Sequence, residues 1–347
     1  MMIINDKVWR HASQMLSETQ RSLRPQRGLD SNSGFSAPRS LRSLRFQIGL
    51  SALLAIAWTG CIGGSESSGT PDASWGRHGI SDGRFTKPRA IAVDTSDRLY
   101  VVDMTARIQV FDADGNYLRH WQTPDHKNGC PTGLNFDRVG NLLVANTHYF
   151  ELLIYSADGN LLRTIGGKSG HGPGEFGFVT NAVEGPDGCY YIAEYGEYDR
   201  IQKFTHDGKF LLQWGGHGDQ PGQFVRPQSL DADERGRIWV ADAANHRVQV
   251  FDADGRFQFA WGHEGGAPGE LSYPYGLKLD GQGHVYICEY GNSRIQKFTL
   301  DGKSLAVWGS CGREPGQLYN PWCLARDNQG RIHIVDSGND RVVRIRM

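Results

Sequence analysis

RIQKFTHDGKFLLQWGGHGDQPGQF occupies residues 200–224. Residues 247–271 read RVQVFDADGRFQFAWGHEGGAPGEL, and residues 294–318 read RIQKFTLDGKSLAVWGSCGREPGQL. Successive copies start 47 residues apart, and Arg341, another 47 on, opens the closing RVVRIRM. A repeat of this length signals copies of one supersecondary unit stacked on each other. Each copy holds four strand-like runs, at 227–233, 237–242, 247–251 and 257–261 in the clearest case. Asp254-Gly255 separates the last two. Asp-Gly between alternating runs specifies a tight hairpin, because glycine takes positive φ without a Cβ clash.

The frame extends over six copies. First strands are expected to begin at Pro88, Pro131, Phe178, Pro227, Pro274 and Pro321. Second strands should end at Asp103, Asn146, Glu194, Asp242, Glu289 and Asp336. Fourth strands end at Trp121, Ile165, Trp214, Trp261 and Trp308, which is one too few, since the sixth copy stops inside its third strand. Ala73-Ser74-Trp75-Gly76, just ahead of the first copy, reads like the other Trp-Gly endings. The expectation is an all-β, six-bladed β-propeller of four-stranded blades over residues 73–347, with the N-terminal strand completing the last blade so that no sheet edge stays open.

Residues 1–60 read as a leader. Arg39, Arg42 and Arg45 precede an apolar run at 46–59, the order of a secretory signal and short for a membrane span. Thr59-Gly60-Cys61 resembles a bacterial lipobox, with Trp58 in place of the usual aliphatic residue. Residues 61–72 form a Gly/Ser-rich tether. The expectation is an exported protein of the cell envelope, lipid-anchored to a bacterial membrane through Cys61, with an uncleaved apolar anchor as the alternative. Of 37 Lys/Arg and 38 Asp/Glu, the leader holds 8 and 3, leaving 29 against 35. That mild acidity, without a basic stripe, argues against nucleic acid as a partner.

The Pro-x-Gly-Leu first strands, the Val-Ala-Asp second strand, the Asn-x-Arg lead-in and the Phe-Asp-x-Asp-Gly turn resemble NHL repeats, in all six copies. The resemblance implies the propeller fold. It leaves function open, because the family spans a peptide-amidating lyase, sensor domains and RNA-binding modules.

Strand parity puts the fourth-to-first and second-to-third connections on one end of the propeller, the working face. The second-strand acids and the third-strand arginines Arg107, Arg200, Arg247, Arg294 and Arg341 recur too regularly to be one active site and are expected to fix loops. Candidates stand where the repeat breaks. The residue after the leading proline is Arg89, Thr132, Val179, Gln228, Tyr275 or Trp322 by blade. These side chains should ring the channel mouth, contribute little core area, and offer Arg89, Gln228, Tyr275 and Trp322 to a ligand. In the lyase that the repeats resemble, this position carries zinc-binding histidines. None of the six is His here, so no metal or cofactor is expected. A second break supplies Tyr149, Tyr195 and Tyr198 from the loops of blades 2 and 3. Cys130, Cys189, Cys288, Cys311 and Cys323 show no metal-binding spacing, and a Cys288–Cys323 disulfide stays open. The reading is a module binding a small molecule, glycan or protein on one face. The alternative is a lyase or lactonase-type hydrolase using the mouth.

Overall fold

The computed structural model describes residues 69–347. The leader, the apolar run and Cys61 lie outside the described residues. Six four-stranded antiparallel sheets form the described part. Their innermost strands are Ala90–Val93, Gly133–Phe136, Phe178–Glu184, Pro227–Ala232, Pro274–Leu279 and Pro321–Arg326. Each packs against the innermost strand of the blades before and after it, and the sixth meets the first. The result is a closed six-bladed propeller.

The cores lie between blades. Leu142 and Val144 turn toward blade 1, while Leu143 and Ala145 turn toward blade 3. Neighbouring residues of a strand point to opposite faces, so a strand covered on both sides must be apolar throughout. That is why the second strands read LLVA, YYIA and IWVA. Six such interface clusters replace one central core.

The Trp-Gly endings and the Asp-Gly turns interlock. The glycines of the turns, Gly115, Gly159, Gly255 and Gly302, all have φ between 78° and 91°. A Cβ on them would come within 2.8 Å of Trp75, Trp121, Trp214 and Trp261 respectively. Each tryptophan thus lies over the hairpin of the following blade, and only glycine fits beneath it.

The second-strand acids and third-strand arginines pair as expected of structural residues. Arg200, Arg247, Arg294 and Arg341 place Nε 2.6–2.8 Å from Glu194, Asp242, Glu289 and Asp336. Their terminal nitrogens donate to carbonyls of the incoming fourth-to-first loop, as Arg247 does to Asp219, Gln220 and Gln223. The carboxylate also accepts a loop amide, that of Val225 at Asp242. In blade 1 Arg107 grips the loop carbonyls of Ile80 and Arg84, although its nitrogen stays 3.7 Å from Asp103. Blade 2 inverts the pair: Asn146 donates to Glu151 at 2.7 Å.

Ala73–Trp75 pairs antiparallel with Arg341–Ile345 in the register Ala73↔Arg344, Ser74↔Val343, Trp75↔Val342. Trp75 covers Gly115 as the fourth-strand tryptophans cover their glycines. Deleting residues 73–77 should therefore expose an edge strand and uncover the blade 1 hairpin. The expected result is a melting temperature lower by several degrees, or aggregation, in a thermal scan. Unchanged melting and solubility would mean that the ring does not depend on this strand.

Candidate ligand site at the channel mouth

The two kinds of variable connection meet on one end. The amides of Met104, Ala243, Tyr290 and Gly338, after second strands, donate to the carbonyls of Thr86, Arg226, Tyr273 and Tyr319, before first strands. In these four blades the bonds draw the residues flanking the leading proline and the one after the second-strand acid to the same end of the ring.

Several of the residues anticipated from the sequence converge there. The Arg89 guanidinium lies 3.9 Å from the Trp322 ring centroid, and Trp322 meets Tyr275 edge-on at 4.9 Å. Tyr290 stacks on Tyr275 at 4.7 Å. Arg226 lies 4.9 Å from both Tyr195 and Tyr275, and its Nε donates to Gln228 at 2.9 Å. Arg89, Gln228, Tyr275, Trp322 and Tyr195 therefore belong to one cluster. Tyr149 and Tyr198 do not join it. The Tyr149 hydroxyl accepts the Asn128 amide, and Tyr198 lies on His171 and Arg200. Thr132 bonds Thr147, and Val179 is buried.

One expectation is corrected. The mouth residues are not rim side chains of little core area: Gln228, Tyr275 and Trp322 are 3, 6 and 9 % exposed. Tyr275 and Trp322 belong to the apolar cluster joining blades 6 and 1. Alternation alone placed them at a strand's first position, but large rings at a narrow channel end touch across blades and bury each other. Trp322→Ala would cost about 3–5 kcal/mol as a core truncation and cannot probe binding cleanly.

Three mouth residues were missed: Arg226, Tyr290 and His148. Arg226 precedes the proline, and its φ of 63° is left-handed. Asp199 of the preceding loop holds it by accepting its amide at 2.8 Å, which compensates a conformation that non-glycine residues seldom take. Tyr290 follows a second-strand acid, where the other blades carry Met104, Thr147, Tyr195, Ala243 and Ser337. The variation among blades that singled out Arg89 singles out this position too.

The electrostatics are unusual for a folded interior. A guanidinium offers five N–H donors. Arg226 uses one of them on Gln228, and Arg89 makes one weak contact, at 3.5 Å, with the Met104 sulfur. Neither forms an ion pair with a carboxylate among the described residues. Burial lowers the Arg89 pKa from its ordinary value, and the like charge of Arg226 acts in the same direction. His148 is also close enough to feel Arg89; burial, and then that charge, lower its pKa.

The class is thus a six-bladed β-propeller with a cationic, aromatic mouth. The NHL repeat pattern matches residues 224–251 and 271–298. Human NHL repeat-containing protein 3 is 30 % identical over 171 residues, covering 45 % of this chain and 49 % of that protein. Rat peptidylglycine alpha-amidating monooxygenase is 35 % identical over 179 residues, 48 % of this chain and 17 % of that one. The chain thus matches about half of the first relative and under a fifth of the second. Among solved structures, a streptogramin B lyase superposes with a TM-score of 0.51 at 11 % identity, over 77 % of this chain and 95 % of that one. A protein of unknown function from Bacteroides thetaiotaomicron gives 0.59 at 15 %, over 78 % and 75 %. At such identities the likeness is one of fold.

Proposed function

We propose that the protein is a binding module that takes a small anionic ligand at the channel mouth, between Arg89 and Arg226. One observation carries this reading: two half-buried guanidiniums stand among aromatic rings, and neither forms an ion pair with a carboxylate among the described residues, although Asp199, which accepts the Arg226 amide, acts on Arg226 from beyond ion-pair reach. Cation–π contacts return roughly 0.5–2 kcal/mol each. Enclosing an ion costs several. An anion accepting two or more charge-assisted hydrogen bonds makes up the difference. The flat faces of Tyr275, Tyr290 and Trp322 suit a ligand with an apolar or sugar-like body. A thermal-shift and calorimetric panel of acetate, citrate, phosphate, sulfate and a uronic acid tests this on parent, Arg89→Gln and Arg226→Gln protein. Binding to the parent should weaken at least tenfold in each variant. Equal affinity in all three would place the site elsewhere.

A lyase or lactonase-type enzyme at the same mouth is the alternative, and His148 favours it. Its lowered pKa leaves a neutral imidazole beside Arg89, a base near a cation that could hold an anionic substrate. Turnover of such a substrate by the parent, with binding but no turnover in His148→Gln, would decide for the enzyme.

Export and lipid anchoring belong to the same proposal and rest on the basic-apolar-cysteine order of residues 39–61. Cys61→Ser, expressed in a bacterial host, should move the protein from the membrane fraction to the soluble or unprocessed one. Fractionation and migration like the parent's would exclude the anchor.

A further inference from the structure

At the opposite end, where the short turns lie, blades 2 and 3 bring together Asp137, Glu184 and His206. Their ligand atoms all lie within 4.8 Å of one another. Comparison with the other blades shows what is odd about them. An aspartate follows the first strand in five blades, and in four of these an arginine or histidine side chain pairs with it. Asp94 pairs with Arg98, Asp233 with Arg237, Asp280 with His284, and Asp327 with both Arg331 and His333. Asp137 instead receives the neutral Asn141 amide and the Tyr190 hydroxyl. Beside it stands Glu184, which occupies a position held by Val93, Phe136, Ala232, Leu279 or Arg326 in the other blades. Asp137 is 5 % exposed and Glu184 9 %.

Two enclosed carboxylates thus share a place that elsewhere holds one, and among the described residues Asp137 forms no ion pair and the one basic side chain paired with Glu184 is the His206 imidazole. The flanking arginines do not supply it. Arg138 pairs with Glu234, and Arg163 donates to the backbone carbonyl of His206. Glu184 Oε2 accepts the Arg138 amide, while Oε1 accepts no hydrogen bond and faces the His206 imidazole Nδ1 at 3.4 Å. His206 is itself an exception, standing where the equivalent turns carry Ala113, Ala157, Ala253 or Leu300. Its ring rests against Tyr190, whose hydroxyl orients Asp137.

We infer that Asp137, Glu184 and His206 form a binding site for a divalent transition-metal ion of the zinc type, which clamps blade 2 to blade 3. Carboxylate and imidazole together suit zinc rather than magnesium or calcium, which take oxygen. Ligands about 2.1 Å from a tetrahedral zinc stand roughly 3.4 Å apart, as Glu184 Oε1 and His206 Nδ1 do. The half-exposed His206 leaves an entry path from solvent, from which water would supply the fourth ligand. The sequence leads to the expectation of no metal anywhere in the chain; Asp137, Glu184 and His206 are far apart in it and meet only in the fold.

Calorimetry and thermal scanning with zinc chloride, and with magnesium and calcium chlorides as controls, test this on metal-stripped parent, Glu184→Gln and His206→Ala protein. The parent should bind one zinc ion at this site and melt at higher temperature with it. Both variants should lose at least tenfold in affinity along with the zinc-dependent gain in melting temperature. Glu184→Gln is isosteric and His206 is half exposed, so both variants should fold, which a metal-free melt verifies. Zinc binding of equal affinity in all three proteins would place the ion on other residues. No zinc binding to the parent would mean that the three side chains hold no metal ion. Either result overturns the site.

Discussion

The buried carboxylate at the end of each second strand is the contact on which the rest of this propeller depends. In blade 4, Asp242 gathers the Val225 amide, the Asn245 side chain, the Arg247 Nε and the Gln249 amide. Glu289 does the same in blade 5 with Ser272, Asn292, Arg294 and Gln296. Arginine and glutamine then reach on to the carbonyls of the incoming loop. A buried Phe or Leu anchors that loop between blades in five of the six connections, and the polar network beside it fixes where the first strand begins. Burial raises the carboxyl pKa of Asp242 and Asp336 above the ordinary value, against the opposing hydrogen bonds. The pair therefore adds little net stability, and its value is geometric. Removing one partner alone still costs about 3–5 kcal/mol, because the other is left enclosed and uncompensated.

Fixing the loop leaves its neighbours free to vary. The residues on either side of the leading proline sit just past the clamped amide, Val225 in blade 4 and Ser272 in blade 5. Arg226 can hold a left-handed conformation because the scaffold beneath it is repeated and rigid, and Gln228, Tyr275 and Trp322 differ between blades for the same reason. Positions that vary between blades thus ride on a repeated frame. Blade 2 is the exception. With Glu151 in place of the arginine, no guanidinium grips the loop at residues 123–130, and no buried Phe or Leu plugs it. The other five connections bury Phe85, Phe176, Phe224, Leu271 and Leu318.

The repeat made the architecture legible. Asp-Gly turns, Trp-Gly endings and the period placed nearly every strand within two residues, since each rule was repeated several times along the chain. Treating Arg247 and its equivalents as structural was also sound, because regular recurrence is what a scaffold contact produces. The site was legible only in part. Arg89, Gln228, Tyr275 and Trp322 stood out by varying, yet their burial depends on side chains from other blades, which no local pattern reveals. Arg226 was hidden because the residue before a proline reads as a turn constraint. Asp137 and Glu184 are 47 residues apart and meet only in space, and that Asp137 forms none of the ion pairs of the other four aspartates emerges only when the blades are compared.

The second-strand carboxylate positions the mouth by holding the incoming loop. Hydrogen exchange on Asp242→Ala tests it most directly, read at the amides of Gly222, Phe224, Val225 and Arg226. The account predicts much faster exchange in that loop, and weaker protection around Arg226 and Gln228, while the strands of blades 1 and 6 exchange as in the parent. Unchanged protection at Val225, or an equal rise throughout the ring, would contradict it.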